Sequence, residues 1–197
     1  MLSRLGPSGR LTLTTRRLTL RPPHMSDFTS WVRTRREGRG FLEEWEPVWA
    51  PDHFTRSSFR NRVAWAQRAI REQKALPLFL TRRGDDSVIG AITLDNIRRG
   101  PAQAGNVGYW IGPQHAQQGL MTEALDAVVS HAFQTLDLSR IEAACLPENA
   151  ASRALLERSG FVHEGIAQNY LQINGRWRTH VLYANLRADR RPKTPVG

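Results

Sequence analysis

The stretch "HAQQGLMTEAL", His115 to Leu125, decides how this chain is read. Apolar residues fall at 120, 121, 124, 125, 128, 129, 132, 133 and 136, which is one continuous face of a helix. Just before it, "NVGYWIG" (106–112) reads as a short buried strand closed by Gly112-Pro113. Strand, polar loop and helix follow one another, with Gly119 at the first helical turn. N–H groups at that turn have no intrahelical partner and the helix dipole stands behind them, so the segment is a candidate anion site. A glycine before a helix serves equally well to let the chain turn, so this stretch alone leaves both readings open.

The chain has 197 residues, enough for one domain with a sizeable core. A hydrophobic share of 40% and six tryptophans suit a globular protein. No apolar run approaches the length that spans a bilayer, and the start, "MLSRLGPSGRLTL", lacks the apolar core of a signal peptide, so no membrane is expected. The one cysteine, Cys145, excludes an internal disulfide framework and fits a reducing cytoplasm. The histidines show no metal-ligand spacing, and no metal is expected. The net charge of +10 is carried almost wholly by arginine, with Lys74 and Lys193 the exceptions. Clusters at Arg33, Arg35, Arg36 and Arg39, and from Arg56 to Arg71, suit contact with phosphates of a small molecule or of RNA, or a plain solvated surface. The charge is spread too widely for a DNA-binding stripe.

Outward from the deciding stretch, "RLTLTTRRLTLRPP" (10–23) alternates as one strand. Ser26 or Asp27 can cap a helix through Trp31 towards Arg36. "FLEEWEPVWAP" (41–51) is an aromatic, proline-broken loop, and a second helix covers about 56–72 with Phe59, Val63, Ala66 and Ile70 on one face. "LPLFLTRR" and "SVIGAITLDNI" read as strands around Gly84-Asp85-Asp86. After the central helix come a strand, "RIEAACLP" (140–147), a short helix ending at Gly160, and a hairpin turning at Asn174-Gly175. One mixed α/β domain over 1–187 is expected, followed by a loose polar tail, 188–197.

There is no G-x-G-x-x-G after a strand and no Walker loop. The order of elements resembles the GNAT superfamily of acetyl-CoA-dependent N-acetyltransferases, whose pyrophosphate loop reads Gln/Arg-x-x-Gly-x-Gly/Ala. The matching stretch is Ala116-Gln117-Gln118-Gly119-Leu120-Met121. Gly119 matches; Ala116 and Met121 depart, and Gln117 stands where glycine is frequent. "PENAASRALLERSGFVHEG" (147–165) resembles the second signature, Pro-x-Asn-x-x-Ser-x-x-Leu-x-x-x-Gly-Phe. "FLEEWEP", "LDNIRRG", "GYWIG", "QGLMTEAL" and "YLQINGRWRTHVL" resemble, more narrowly, the bacterial ribosomal-protein-alanine N-acetyltransferases, the Rim-type group. The resemblance runs from about Leu18 to Leu186.

That resemblance implies a central, mostly antiparallel sheet flanked by helices, with acetyl-CoA as cosubstrate. It also implies direct attack by an amine on the thioester in a ternary complex. The acceptor implied is the N-terminal alanine of a ribosomal protein. A small-molecule amine (an antibiotic, polyamine or amino acid) and a non-catalytic RNA- or ribosome-binding module are the alternatives. The pyrophosphate would meet N–H groups from Gln117, Gln118, Gly119, Leu120, Met121 and Thr122, where a side chain at 119 would collide with it. The "GYWIG" and "RIEAACLP" strands would splay to admit the pantetheine, with an N–H near Trp110 or Ile111 as oxyanion donor. Asn149 would bind the coenzyme or a water near its thiol. Ser152 would protonate the leaving thiolate, with Tyr170 second in line. Glu46 and Glu164 are the candidate bases, acting through water. The loop from Trp45 to Trp49 would wall the acceptor groove.

Overall fold

The computed structural model describes residues 11–190, so the tail from 191 and the N-terminal segment to 10 lie outside the described residues. One eight-stranded sheet runs through the chain in the order β1-β2-β3-β4-β5-β6-β8-β7. Its strands are β1 (Leu13–Thr14), β2 (Leu18–Arg21), β3 (Leu76–Arg82), β4 (Asp85–Arg98), β5 (Ala104–Ile111), β6 (Arg140–Cys145), β7 (Val162–Ile173) and β8 (Arg176–Leu186). Every neighbouring pair is antiparallel except β5 and β6. The helices are α1 (Phe28–Glu37), α2 (Arg39–Leu42), α3 (Arg56–Arg71), α4 (Leu120–Gln134) and α5 (Ala150–Arg158).

The two faces of the sheet are covered by different helices because its strands alternate. On β3, Leu78 and Leu80 join a core with α4 and α5, while Phe79 joins Trp31, Phe59 and Val63 of α1 and α3 on the other face. β3 is therefore buried on both sides, which is why "LPLFL" is an unbroken apolar run rather than an alternating one. α4 turns the face from Leu120 to Ala132 inward, as its 3.6-residue period requires.

Two expectations change. The strand read over 10–23 is a hairpin, with Leu13 opposite Leu20 and Thr14 opposite Thr19. Its turn carries no Gly, Pro or Asn. Instead Leu18 N donates to Thr15 Oγ1 (3.0 Å) and Thr15 N to Leu18 O (3.0 Å), a side-chain turn that alternation hides. Likewise Ala188–Arg190 begins the expected loose tail with a 3₁₀ turn. Asp27 does cap a helix start, but with its carboxylate accepting from His24 N (2.7 Å) and pairing with Arg21 rather than capping α1. The last hairpin turns as expected, with Asn174 and Gly175 both at positive φ (44° and 76°), as a two-residue loop of this kind needs.

The α1–α2 corner is pressed onto the β5–α4 turn. A Cβ on Gly38 would stand 2.9 Å from Pro113 Cδ and 3.1 Å from Thr34 O. A proline ring and a backbone oxygen have little room to give. Gly38→Ala is expected to cost about 1–3 kcal/mol through overpacking, lowering the melting temperature by several degrees. At Gly40, two residues on, an added Cβ meets nothing within 4 Å. Gly40→Ala should leave the melting temperature unchanged or raise it, so a thermal melt of the two variants separates crowding from a general glycine effect.

Candidate active site

β5 and β6 are paired only at Ala104–Arg140, Gly105–Ile141 and Asn106–Glu142. Beyond that point β5 stays on β4 to Ile111 and β6 stays on β8 to Cys145, so the two strands part. Val107 to Ile111 and Ala143 to Cys145 thereby line a cleft of about 1170 Å³. Gly112 N donates to Ile89 O on β4 (2.9 Å). Successive N–H groups of an extended strand point to opposite edges, so the N–H of Ile111, rather than that of Trp110, faces the gap.

At one end of the cleft lies the start of α4. Gln117 (φ 57°) and Gly119 (φ 70°) both adopt the left-handed conformation. Glu123 N, bonded to Gly119 O (3.2 Å), is the first amide satisfied by the helix. The N–H groups of Leu120, Met121 and Thr122 therefore precede the ladder, and no side chain caps them. A Cβ on Gly119 would meet only Arg17 Nη2, at an ordinary 3.5 Å. Within the protein, then, glycine is demanded by φ and not by crowding. Gln117 shows why glycine is frequent two residues earlier, since it too sits at positive φ, at a steric cost of about 1–2 kcal/mol. Gln118 does not line the cleft: its amide binds Gln114 O (2.8 Å) and Arg82 Nη2 (2.9 Å).

Arg17, which the sequence reading passed over, holds this loop. Its N and Nε donate to Glu123 (2.7 and 2.8 Å) and its Nη1 to Gln118 O (2.9 Å). The unmarked turn between β1 and β2 is what delivers it.

Midway along the cleft, Ser152 Oγ and Tyr109 Oη are 2.8 Å apart. Tyr109 was missed as well, although the alternation Val107, Tyr109, Ile111 on one face of β5 was there to be read. Burial pushes the Tyr109 phenol well above its usual range, against the weaker opposing effect of Ser152. The cap of α5 is not Ser152 but Asn149, whose Oδ1 accepts from Ser152 N (3.0 Å). Cys145 lines the same wall, and burial raises its thiol pKa.

The other end of the cleft is walled by the segment between α2 and α3. Trp45, Glu46 and Pro47 line the cleft, whereas Val48 and Trp49 line a smaller adjoining pocket of about 260 Å³. Glu46 is gripped by Arg35 (2.7 and 2.5 Å) and by Trp49 Nε1 (2.7 Å). The Arg35 guanidinium lies between the Trp49 and Trp110 rings, at 4.2 and 4.7 Å. Asn174 N, at the tip of the last hairpin, donates to Glu46 O (2.9 Å), so hairpin and loop meet across the opening.

Two expected residues stand elsewhere. Tyr170 is absent from the cleft lining and packs edge-on against His180, with ring centroids 5.7 Å apart. Glu164 is also absent from the lining. Both its oxygens are taken by Arg140, which holds its pKa below the usual range.

The acetyltransferase (GNAT) domain model matches residues 17–162. The chain belongs to the GNAT acetyltransferase family. It is 36% identical over 183 residues to the [Ribosomal protein uS5]-alanine N-acetyltransferase of Escherichia coli, covering 93% of this chain and 94% of that one. Mycobacterium smegmatis RimJ in complex with CoA-disulfide superposes with a TM-score of 0.84 at 32% identity, covering 93% of this chain and 90% of that one. The ribosomal-protein-S5-alanine acetyltransferase of Vibrio fischeri gives 0.85 at 28%, covering 92% and 100%. This is an acetyl-transferring enzyme related to the ribosomal-protein acetyltransferases, on the mostly antiparallel, helix-flanked sheet that the sequence implied.

The segment between α2 and α3 carries a pH-sensitive stack. His53 lies flat on Trp49 (4.9 Å, 14°), and burial, then the charges of Arg35 and Arg62, push its pKa down to about 4. Below pH ~6.5 the unfolded chain takes up a proton here that the folded protein refuses. Stability should therefore be full above that pH and fall on acidification towards pH 4. His131, also lowered by burial, adds in the same direction. Denaturant midpoints at pH 7 and pH 5 should differ less in His53→Gln than in the parent.

Proposed function

We propose that this chain transfers acetyl from acetyl-CoA to the N-terminal α-amino group of an alanine-led ribosomal protein, by direct attack in a ternary complex. The observation that carries this reading is the continuity of the cleft. It runs from the uncapped start of α4, past Tyr109 and Ser152, to an opening between the Trp45–Pro47 wall and the hairpin residues Leu171 to Ile173. One end suits phosphates and the other admits a chain. The near full-length likeness to the uS5-alanine enzyme of Escherichia coli supports the acceptor.

In this mechanism the N–H groups of Leu120, Met121 and Thr122 hold the pyrophosphate of the coenzyme. The N–H of Ile111 donates to the thioester oxygen as negative charge develops there. Ser152 supplies a proton to the departing sulfur, and Tyr109, kept protonated by burial, donates to Ser152 Oγ so that the serine's own proton is free to point into the cleft. Asn149 fixes the start of α5 and with it the position of Ser152. An α-amino group, pKa about 7.7–8.0, is partly neutral at pH 7, whereas a lysine at about 10.4 is not. A weak or water-mediated base therefore suffices, and positioning supplies much of the rate, about 7–11 kcal/mol. Glu46, held by Arg35 and Trp49, orients the incoming amine, whose proton leaves through water, and Ser152 regains from water the proton it gives to the sulfur.

Mass spectrometry of ribosomal proteins from a strain lacking the gene tests the acceptor. A lost N-terminal acetyl group on an alanine-led protein is the expected result, and an unchanged pattern would move the assignment to a small-molecule amine. Ser152→Ala should lower kcat by roughly 10- to 1,000-fold with little change in KM for acetyl-CoA. Tyr109→Phe should lower kcat by a smaller factor. Because Tyr109 acts through the serine, the double variant should be no worse than Ser152→Ala alone. Additive losses would separate the two roles.

A further inference from the structure

We infer that the outer face of α1 and α3 is a docking surface for single-stranded RNA, placed beside the acceptor opening. The sequence spreads its arginines along the whole chain, and the structure gathers six of the unpaired ones on α1 and α3. On the sheet and the α4–α5 side several are matched with acids, Arg17 with Glu123, Arg98 with Glu142, Arg140 with Glu164 and Arg187 with Asp137, while Arg16, Arg83, Arg158 and Arg176, scattered over that side, belong to no ion pair among the described residues. From α1 through α3, the ion pairs among the described residues are Arg35–Glu46 and Arg39–Glu43. Arg33, Arg36, Arg56, Arg60, Arg68 and Arg71 are exposed there and belong to no ion pair among the described residues.

Such a layer costs stability. Arg56 and Arg60 are four residues apart on one helix, and Arg68 and Arg71 are three apart, spacings at which like charges repel. Two features suit these side chains to a ligand. The guanidinium groups of Arg36 and Arg56 lie over the rings of Phe54 and Phe28, at 5.1 and 5.2 Å, which holds their planes while leaving their in-plane N–H donors available. On the same outer side of α3 stands Trp65, 41% exposed and one turn before Arg68, an aromatic face amid cations on which an unpaired base can stack. The apolar stripe of α3, Phe59, Val63, Ala66 and Ala69, is spent in the core, so the helix has no apolar face to sink into a lipid surface. The segment between these helices carries Trp45 to Pro47, which wall the acceptor end of the cleft. An RNA strand on this face would hold the enzyme where a ribosomal protein's N-terminus emerges. That link rests on the proposed acceptor; the surface itself does not.

The test uses the full chain, a fluorescent 20-nucleotide oligouridine and anisotropy titrations across a salt series. Binding should weaken steeply as salt rises. Arg60→Gln/Arg68→Gln/Arg71→Gln should bind roughly tenfold or more weakly near 0.1 M salt, with the slope of log K against log[salt] shallower by about 2. The same three positions changed to Lys should keep the slope, which separates charge from folding. Trp65→Ala should weaken binding by roughly 5-fold or more while leaving the slope intact. The triple Gln variant should acetylate a free acceptor peptide at the parental rate. No oligouridine binding by the parent at 0.1 M salt, or equal binding by the triple Gln variant, overturns the inference. So does equal or tighter binding to phosphatidylglycerol vesicles. Should RNA binding follow this pattern while no acceptor peptide is acetylated, the surface stands and the proposed function falls.

Discussion

Three residue pairs hold β5 to β6, and the site exists because the pairing stops there. Each strand stays fully bonded to its outer neighbour, β5 to β4 as far as Ile111 and β6 to β8 as far as Cys145. The inner edges of Val107–Ile111 and Ala143–Cys145 are left facing each other across a gap too wide for a ladder. Unpaired strand edges inside a sheet are costly, because backbone N–H and C=O groups away from water need partners. A slender ligand carrying amide groups can supply them to both edges at once. The gap also decides where the chemistry stands: it exposes the face of β5 that carries Tyr109, and α5 brings Ser152 against it from the other side.

The charge at the start of α4 follows from a local conflict. Glu123, in the first turn of α4, suits the helix dipole but would repel an anion seated at the same helix start. Arg17 resolves it. Burial tends to raise the Glu123 pKa, yet hydrogen bonds from Thr15 and Arg17 outweigh burial and hold it below the usual range. The carboxylate stays ionised and is neutralised by the guanidinium beside it. What remains at the cradle is the dipole and the free N–H groups of Leu120 to Thr122. The β1–β2 hairpin, a minor element of the sheet, is therefore tied to the start of α4.

Legibility in the sequence depended on whether a signal was local. The face from Leu120 to Leu136, the Asn174-Gly175 turn and the two signatures sit within single elements, and they led to the fold and to the lining residues Gly119, Asn149 and Ser152. Arg17 could not be reached this way, since its partner is more than a hundred residues on and the turn that aims it contains no turn residue. For Glu164 the same reason holds: Arg140, which occupies its carboxylate, lies on another strand and gives no sign of itself near 164. Tyr109 was within reach, because strand alternation places it with Val107 and Ile111, but its meaning depends on α5 coming to meet it. The arginines were counted correctly as a charge and not as a surface. Nothing in one dimension tells which of them will find an acid.

Cys145 sharpens the chemical reading by what it does not do. It lies in the cleft wall, two positions before Pro147 and close to Ser152, where a nucleophilic thiol could intercept an acetyl group. A cysteine nucleophile must reach the thiolate, which calls for a depressed pKa, a base or a positive surround. Here burial raises the pKa, and the opposing influences of Ser152 and Arg153 are weaker. With its pKa raised by burial, the thiol is a poor nucleophile at neutral pH. In the proposed reaction the attacking amine, already partly neutral, faces no such barrier, so the burial that silences Cys145 supports the proposed direct attack over an acyl-enzyme.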